Sequence, residues 1–330
     1  MYSFEKMTSQ YIDKINAATF TDIALELFHY QYTHNSVYRR YAEALNILPE
    51  AVTDLRSIPY LPVSFFKTHD ITSRASIPPE LLFESSGTTG ESPSRHMIYN
   101  PQLYEASLLT AFRKFYGDPD GITILALLPS YLERKNASLV HMAEVLMKNS
   151  DQPFNGFYLN EWDKLSDTLQ QLEDKRQPTL LLGVTFALLD FAAASRLTLK
   201  HTIVMETGGM KGRRQEWTRK QVHEYLKSRW QLEQVHSEYG MTEMLSQAYA
   251  KEDGIFRCAD SMKVFVRDLN DPFDINDRGD GCLNIIDLAN VDSCAFLATE
   301  DLGTIHSDGS FEVFGRMDHA TLRGCSLMTA

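Results

Sequence analysis

Basic charge, cysteine and long apolar runs are all scarce in this sequence of 330 residues. The net charge of −12 at pH 7 argues against binding to nucleic acid and against adhesion to an anionic membrane. It does not exclude a nucleotide substrate, because a few local donors are enough to hold phosphates inside an acidic protein. The four cysteines include no CxxC pair, so their spacing fits neither a zinc ribbon nor a dense disulfide framework and predicts reduced thiols.

Targeting and membrane segments are also absent from the pattern. Residues 1–20 mix acidic and basic side chains with apolar ones and lack the apolar core of a signal peptide. The most apolar stretch, 180–194, contains Asp190 and is shorter than the roughly 20 residues that span a bilayer. No internal repeat and no Gly/Ser-rich linker is visible. We therefore expect a cytoplasmic protein with one core domain over residues 1–330 and no membrane contact.

Apolar periodicity predicts alternating strands and helices through most of the chain. The first 55 residues have helical spacing, and Asn100-Pro101 is typical of a helix start. Strands are predicted at 81–85, 95–99, 122–128, 179–184 and 201–206, and helices at 101–116, 186–197 and 214–230. The last 70 residues instead favour short strands between Asp, Asn and Gly turns, at 262–267, 282–288, 295–298 and 311–314. The pattern predicts an α/β part with a helical N-terminus over 1–255 and a β-rich subdomain over 256–330.

A loop of small and hydroxylated residues carries the strongest local signal: Ser85, Ser86, Gly87, Thr88, Thr89 and Gly90. Small residues let the backbone approach a polyphosphate, successive N–H groups can form an anion nest, and the hydroxyls add donors. No Gly-Lys-Ser/Thr follows, so this is not a Walker A loop. By composition alone the segment could also be an ordinary turn.

Further along the chain, other segments offer complementary chemistry. The run 237–243 places a tyrosine beside a glycine, which suits stacking of a base, and ends in Thr242-Glu243, whose oxygens suit phosphate and Mg2+. Asp301 then places a carboxylate at a predicted strand end, where it suits ribose hydroxyls. Arg316 supplies a cation for phosphate.

In their order and approximate spacing, these segments resemble the motifs of the adenylate-forming superfamily, which includes acyl-CoA synthetases, luciferases and nonribosomal adenylation domains. The resemblance covers residues 81–318. Within the superfamily the sequence looks most similar to the acyl-protein synthetase family, the fatty-acid-activating component of the fatty acid reductase in bacterial luminescence. The segments that carry this closer resemblance are 58–67, 94–96, 128–134, 206–213, 270–273 and 323–327.

The resemblance implies an α/β fold: the N-terminal core lobe of adenylate-forming enzymes, with mixed sheets flanked by helices and a β-rich C-terminal subdomain. Larger members continue past the hinge position, which Asp318 matches, into a mobile C-terminal lid that carries a lysine for the adenylation step. Only 12 residues follow Asp318 here, so the expectation is a core lobe that lacks this lid. A truncated chain or a partner protein would account equally well for the missing part.

The resemblance also assigns the nucleotide site, with ATP and Mg2+ as cofactors. The 85–90 loop would cradle the β- and γ-phosphates, Tyr239 would stack on adenine, and Glu243 would hold Mg2+. Asp301 would bind the ribose hydroxyls, and Arg316 the ribose and phosphate region. The expected nucleotide-binding residues are Ser85, Ser86, Gly87, Thr88, Thr89, Gly90, Gly208, Gly209, Glu238, Tyr239, Gly240, Met241, Thr242, Asp301 and Arg316.

Three side chains are candidates for catalysis, each with a plainer alternative. Lys211, just past the Gly-Gly turn, could replace the lid lysine, or it could be a solvated loop lysine. His96 could orient a phosphate or the acid, or it could be a structural histidine. Cys325, whose pKa Arg323 could lower, could take the acyl group as a thioester, or it could be a spare cysteine in a frayed tail.

The leading hypothesis is an AMP-forming acid–thiol ligase that converts a carboxylic acid and ATP to an acyl-adenylate and pyrophosphate. It would then transfer the acyl group to a protein cysteine, on itself or on a partner such as a reductase or carrier. Apolar candidates for the acyl pocket, Leu139 and Val140 with His141 beside them, suit a fatty or aromatic chain. The alternatives are an acid–CoA ligase of the phenylacetate–CoA ligase type and a non-catalytic nucleotide-binding subunit.

Overall fold

The helices lie mainly in the first two thirds of the chain. The computed structural model describes residues 4, 7–85, 92–129, 136–208 and 217–317. Within the described part of the chain, no helix is both long enough and apolar enough to cross a lipid bilayer. The α-helices are α1 (Phe20–His34), α2 (Ser36–Ala44), α3 (Pro101–Tyr116), α4 (Ser138–Ser150), α5 (Trp162–Asp174), α6 (Thr185–Ala194) and α7 (Arg219–Trp230), and short 3-10 helices occupy Ser9–Lys14, Pro49–Ala51 and Val63–Lys67.

The described strands form two large sheets and a separate hairpin. In chain order they are β1 (Leu61–Pro62), β2 (Leu81–Glu84), β3 (Arg95–Ile98), β4 (Thr123–Leu127), β5 (Gly156–Phe157), β6 (Thr179–Val184), β7 (Thr202–Thr207), β8 (His236–Tyr239), β9 (Ala248–Ala250), β10 (Arg257–Cys258), β11 (Met262–Arg267), β12 (Ile275–Asn276), β13 (Gly279–Asp287), β14 (Phe296–Ile305) and β15 (Phe311–Arg316). The hairpin is β2 paired with β3.

The first large sheet, which we call the central sheet, has the strand order β10-β9-β8-β7-β6-β4-β5. Strands β5, β4, β6, β7 and β8 pair in parallel. Strand β9 pairs antiparallel with β8, and β10 pairs antiparallel with β9. Every residue of β4 and β6 is buried, which is the pattern of parallel strands covered by helices on both faces. The strand predicted at 179–184 is confirmed with the same bounds.

The second large sheet, the C-terminal sheet, has the order β1-β14-β13-β11-β12, with β15 added beside β14. It includes a strand from near the N-terminus, since Leu61 of β1 pairs in parallel with Leu297 of β14. Helix α1 also packs here, where the Gln31 side chain donates to the Asn290 carbonyl oxygen at 2.8 Å. The N-terminal helices therefore cover a sheet built mostly from the last third of the chain.

Local signals predicted some boundaries well. The Asn100 side chain accepts a hydrogen bond from the Leu103 amide at 3.1 Å, which confirms the predicted start of α3. Helix α7 begins at Arg219 with a capping box on Thr218, and the predicted start at 214 lies outside the described residues.

The strand predicted at 295–298 is longer than expected. It runs over Phe296–Ile305, so Asp301 lies inside β14 and the prediction that it ends a strand is wrong. The strand is longer because it pairs with β15, where Arg316 lies opposite Asp301. The register of this pairing is irregular between Leu302 and Gly303. Such irregularities re-aim side chains beside functional sites.

A buried carboxylate joins the two large sheets. Asp287, at the end of β13, accepts hydrogen bonds from the backbone amides of Leu245 at 2.7 Å, Ser246 at 3.1 Å and Ala289 at 3.1 Å. The Ser246 hydroxyl lies 2.6 Å from Asp287 Oδ1 and 2.6 Å from the hydroxyl of Ser261. Because Leu245 and Ser246 lead into β9 of the central sheet, Asp287 fixes that segment to the C-terminal sheet.

We predict that Asp287→Ala lowers the free energy of unfolding by roughly 3 kcal/mol, because several buried donors lose their acceptor together. Urea denaturation at pH 7 measures the effect. Asp280→Ala is the matched control, since this aspartate lies exposed on the same strand and its loss should cost about 0.5 kcal/mol or less. Equal losses in the two variants would contradict the structural role of Asp287.

Candidate functional site

The candidate site lies at the carboxyl ends of the parallel strands β6, β7 and β8. In open α/β sheets, ligands bind in the crevice outside this edge. Thr185 follows β6, and its hydroxyl lies 2.7 Å from the Gly208 carbonyl oxygen and 2.9 Å from Glu206 Oε2. Gly208 follows β7 with a φ of +70°, a left-handed conformation that favours glycine. The predicted Gly-Gly turn therefore begins at the sheet edge, whereas Gly209 and Lys211 lie outside the described residues.

An ionised carboxylate lies beneath this turn. Glu206 Oε1 is 3.0 Å from Arg219 Nε and 3.7 Å from His223 Nε2. Burial opposes ionisation, but interactions with His223 and Ser237 and the charge of Arg219 outweigh it and lower the pKa of Glu206 to about 2. Arg219 also donates to the Val313 carbonyl oxygen of β15 at 2.7 Å. It therefore links the Gly208 turn to the C-terminal sheet.

The base of the predicted phosphate loop is closed by two serines. The Ser85 amide donates to the Ser94 carbonyl oxygen at 3.0 Å, and the Ser94 amide donates to Ser85 Oγ at 2.8 Å. The Ser94 side chain also lies close enough to the Glu243 carboxyl group to lower its pKa. The loop thus leaves the hairpin next to the residue that is expected to hold Mg2+. The other expected loop residues lie outside the described residues: Ser86, Gly87, Thr88, Thr89 and Gly90.

His96 and Asn290 hold the segment after β8. His96 Nδ1 lies 2.8 Å from the Thr242 carbonyl oxygen and Nε2 lies 3.0 Å from Asn290 Oδ1. Asn290 Nδ2 donates to the Glu243 carbonyl oxygen at 2.8 Å. Burial lowers the pKa of His96 to about 4, so at pH 7 the ring is neutral and donates to one of its two acceptors. Since the ring is 1% exposed and both nitrogens face protein atoms, this geometry suits it to fixing the position of Thr242 and Glu243.

Glu243 is suited to binding a cation. Its side chain is buried, and burial raises its pKa against the opposing effects of the Ser94 side chain and the Arg316 charge. A nearby cation would stabilise the ionised form. In the described ranges no group of three or more His, Cys, Asp or Glu side chains could hold a metal ion. A Mg2+ ion here would therefore rely on Glu243, water and phosphate oxygens, a ligand set that Mg2+ commonly accepts.

Two expected ribose and phosphate ligands meet at the edge of the C-terminal sheet. The Tyr239 hydroxyl donates to Asp301 Oδ2 at 2.7 Å, and Arg316 Nε lies 3.7 Å from Asp301 Oδ1 with its side chain 73% exposed. Burial raises the pKa of Asp301, and the Tyr239 hydrogen bond and the Arg316 charge oppose this. The Tyr239 ring lies against Phe256 and Phe311, with centroids 5.9 and 5.7 Å away.

The structure therefore brings together expected site residues that are far apart in sequence. Ser94 joins the hairpin to Glu243, and Tyr239 joins β8 to Asp301. At Gly240 an added Cβ would lie 2.5 Å from Glu238 Oε1, so a side chain there would displace that carboxylate. Met241 is partly buried against the core. Cys325 and Asp318 lie outside the described residues.

Several residues that shape the site carry no clear signal in the sequence. Asn290 and Asp287 act through contacts across more than forty residues, and nothing in their local sequence marks them. Glu206 and Arg219 lie on either side of the Gly-Gly turn in the sequence. Their closeness to this turn is the sequence signal that could have identified them. The ring of His141 packs against those of Phe83 and Tyr104, with centroids 5.6 Å from each.

No protein-family model and no curated protein sequence matches the chain, but solved structures do. The N-terminal domain of FACL13 from Mycobacterium tuberculosis, with an inhibitor bound, has 15% identity and a TM-score of 0.50 over 72% of this chain and 60% of its own. A long-chain-fatty-acid-CoA ligase, FadD1 from Archaeoglobus fulgidus, has 14% identity and a TM-score of 0.51 over 72% and 51%. McyG A-PCP in complex with phenylalanyl-adenylate has 13% identity and a TM-score of 0.51 over 73% and 48%.

At these identities the likeness is one of fold. The chain spans about half the length of the structures that it matches: 60%, 51% and 48% of them. The expected fold class is confirmed, since the mixed sheets and flanking helices match the N-terminal domain of adenylate-forming enzymes.

We predict that Glu206→Gln lowers the free energy of unfolding at pH 7 by about 3 kcal/mol, given a shift from an ordinary pKa of 4.5 to about 2. A carboxyl group whose pKa is lower in the folded than in the unfolded state stabilises the fold at pH values above its unfolded-state pKa. This contribution is lost as the pH falls towards the folded-state pKa of about 2. The deficit of the variant should therefore shrink between pH 5 and pH 2, as followed by urea denaturation. Glu224→Gln, at an exposed position on the same helix as Arg219, is the control. A deficit that does not change with pH would contradict the assignment.

Proposed function

We propose that this protein activates a carboxylic acid with ATP, forming an acyl-adenylate and pyrophosphate, and then transfers the acyl group to a protein cysteine. The observation that carries the proposal is the meeting of the phosphate-loop hairpin, Glu243, Asp301 and Arg316 at the carboxyl edge of the central sheet. This arrangement offers a cation for phosphate, a carboxylate for a metal and a carboxylate for ribose within one site.

In this proposal each element has a separate part in holding ATP. The loop that begins at Ser85 is the proposed ligand of the β- and γ-phosphates. The Gly208 turn lines the adenine, and the Asp301 carboxylate, oriented by Tyr239, accepts hydrogen bonds from the ribose hydroxyls. The exposed guanidinium of Arg316 contacts the phosphates. The proposal is supported by the fold shared with McyG A-PCP, whose structure holds phenylalanyl-adenylate.

Glu243 is the proposed protein ligand of Mg2+, which neutralises charge on the polyphosphate when it is bound. His96 acts as a positioning residue in this account, because its buried ring lies against the Thr242 carbonyl and against Asn290, whose amide donates to the Glu243 carbonyl oxygen. Lys211 is proposed to stabilise charge that develops at the reacting phosphate. Its place beside the Gly208 turn in sequence supports this part.

The second half of the proposal is acyl transfer to sulfur. The Cys325 thiolate would attack the carbonyl carbon of the acyl-adenylate, forming a C–S bond. The bond from that carbon to the phosphate oxygen breaks, AMP leaves with the electron pair, and the thiol proton passes to solvent. Arg323 would lower the thiol pKa. A reductase or carrier is the proposed final acceptor, and the support for this half is the sequence resemblance alone.

Acid–CoA ligation is the second candidate. The observation that favours it is the fold shared with a long-chain-fatty-acid-CoA ligase. The two functions differ in the acceptor: release of AMP that depends on CoA, without acylation of any protein, would favour the ligase.

Exchange of labelled pyrophosphate into ATP, dependent on a carboxylic acid and Mg2+, tests the adenylation half. We expect Glu243→Gln to lower the rate about 100-fold or more, because removing a metal ligand removes charge stabilisation in the transition state. Glu252→Gln, at an exposed position away from the site, should exchange like the unmodified protein. An undiminished rate in Glu243→Gln would overturn the metal assignment.

Labelling with a radioactive acid tests the transfer half. Cys325→Ser should still form acyl-AMP but lose the covalent acyl label that hydroxylamine removes. Cys258→Ser is the control, because burial raises the pKa of Cys258 to about 12 and a protonated thiol is a poor nucleophile. A full label on Cys325→Ser would rule out this cysteine as the acceptor.

A further inference from the structure

A row of polar side chains crosses the central sheet beside the candidate site. Thr207 of β7 is paired with Glu238 of β8, and Glu238 is paired with Tyr249 of β9. Paired residues on neighbouring strands point to the same face, and the Thr207 hydroxyl donates to Glu238 Oε2 at 2.5 Å. The row lies one residue from the Gly208 turn, so it borders the proposed nucleotide site.

Two buried polar atoms next to this row have no hydrogen-bond partner within the described residues. They are the hydroxyl of Tyr249 and the Oε1 atom of Gln247, on side chains that are 2% and 5% exposed. Buried polar side chains in folded proteins are nearly always satisfied, because an unpaired one costs free energy. These two atoms, on side chains two positions apart along the chain at β9, are therefore available to hydrogen bond to a ligand that reaches them.

Gly240 marks the point where Glu238 and Gln247 come together. A Cβ added to Gly240 would lie 2.5 Å from Glu238 Oε1 and 3.8 Å from Gln247 Cγ. Both side chains therefore approach the same point above the Gly240 backbone. We call Glu238, Gln247 and Tyr249 the polar floor.

Within the ranges that the structure describes, no cation offsets the charge on Glu238 of the polar floor. Burial raises the pKa of Glu238 to about 7; the Thr207 hydrogen bond opposes this and the charge of Glu206 adds to it. The same carboxylate contributes to the raised pKa values of Tyr104, Tyr116 and Tyr249. Among the described residues, the groups that are electrostatically coupled to Glu238 are thus hydroxyl groups and a second carboxylate. The site consequently favours a group that donates hydrogen bonds.

We propose that the polar floor recognises a hydroxyl or amino group on the acid substrate, at a distance from the carboxylate that is activated. This rests on the proposed function, and it moves Glu238 from the expected nucleotide ligands to the acid pocket. The polar floor offers the carboxyl group of Glu238 and the amide oxygen of Gln247 as acceptors, and the phenol of Tyr249 as a group that can accept or donate. The apolar chain that Leu139 and Val140 suggest would then carry a donor, and a plain fatty acid would leave the floor unsatisfied.

Pyrophosphate exchange with matched acids tests the proposal. Each set contains three acids that share one carbon skeleton, which is either straight-chain or phenyl-substituted. One acid has no donor, one has a terminal hydroxyl group and one has a terminal amine. A site built to bond a donor rejects analogues that lack it, so in at least one set we expect kcat/KM to be about 100-fold higher for a donor-bearing acid. The hydroxyl and amine arms show which donor is used. Equal or better use of the plain acid in every set would overturn the proposal.

Tyr249→Phe tests the same floor with little risk to folding, because the hydroxyl that it removes has no partner among the described residues. The preference for the donor-bearing acid should fall about 10-fold. Tyr158→Phe is the matched control, because the buried Tyr158 hydroxyl donates to Thr168 at 3.4 Å, away from the polar floor. This variant should keep the preference of the unmodified protein for the donor-bearing acid. An unchanged preference in Tyr249→Phe would overturn the role of this phenol.

Calorimetric titration of the same acids, without ATP, separates this inference from the function on which it rests. If no acid supports exchange, the proposed adenylation is overturned. The titrations still show whether the polar floor recognises a donor on the acid. Tighter binding of the donor-bearing acids, weakened in Tyr249→Phe, would support it. Equal binding within each set, or no binding at all, would overturn it.

Discussion

The carboxylate of Asp287 is the interaction on which the geometry of the candidate site depends. It belongs to the C-terminal sheet, yet its donors include Leu245 and Ser246, which lead into the central sheet. Asn290, three residues further on, holds the Glu243 carbonyl and faces His96. One short stretch of chain therefore fixes the segment that carries the proposed metal ligand, and the site forms where the two sheets meet.

The buried carboxyl groups at this edge divide into two kinds. Glu206 has its pKa lowered because Arg219 and His223 compensate its charge, so it serves as a fixed structural anion beneath the Gly208 turn. Glu238, Glu243 and Asp301 have raised pKa values, since burial outweighs their partners. Carboxyl groups of this second kind are stabilised by incoming cations or donors. Mg2+, ribose hydroxyls and a donor on the acid are ligands of that chemistry.

The sequence predicted elements whose signals are local. A buried apolar run predicted β6, and Asn100-Pro101 predicted the start of α3. The sequence-based prediction failed where pairing with a distant strand sets the length of a strand. Pairing with β15 continues β14 past Asp301, and local composition does not reveal this pairing. In the site, the order of motifs predicted that Glu243, Asp301 and Arg316 belong together. The His96–Asn290 contact spans 194 residues, and no local pattern encodes such a pairing.

Oxygen-18 in the carboxyl group of the acid gives the most direct measurement of the central claim. Attack of a carboxylate on the α-phosphate of ATP leaves one acid oxygen bonded to phosphorus, and that oxygen stays with AMP when the acyl group is transferred. We predict that AMP released in the presence of an acceptor carries the label, as read by mass spectrometry. Unlabelled AMP, or label in inorganic phosphate with ADP as the product, would contradict activation through an acyl-adenylate.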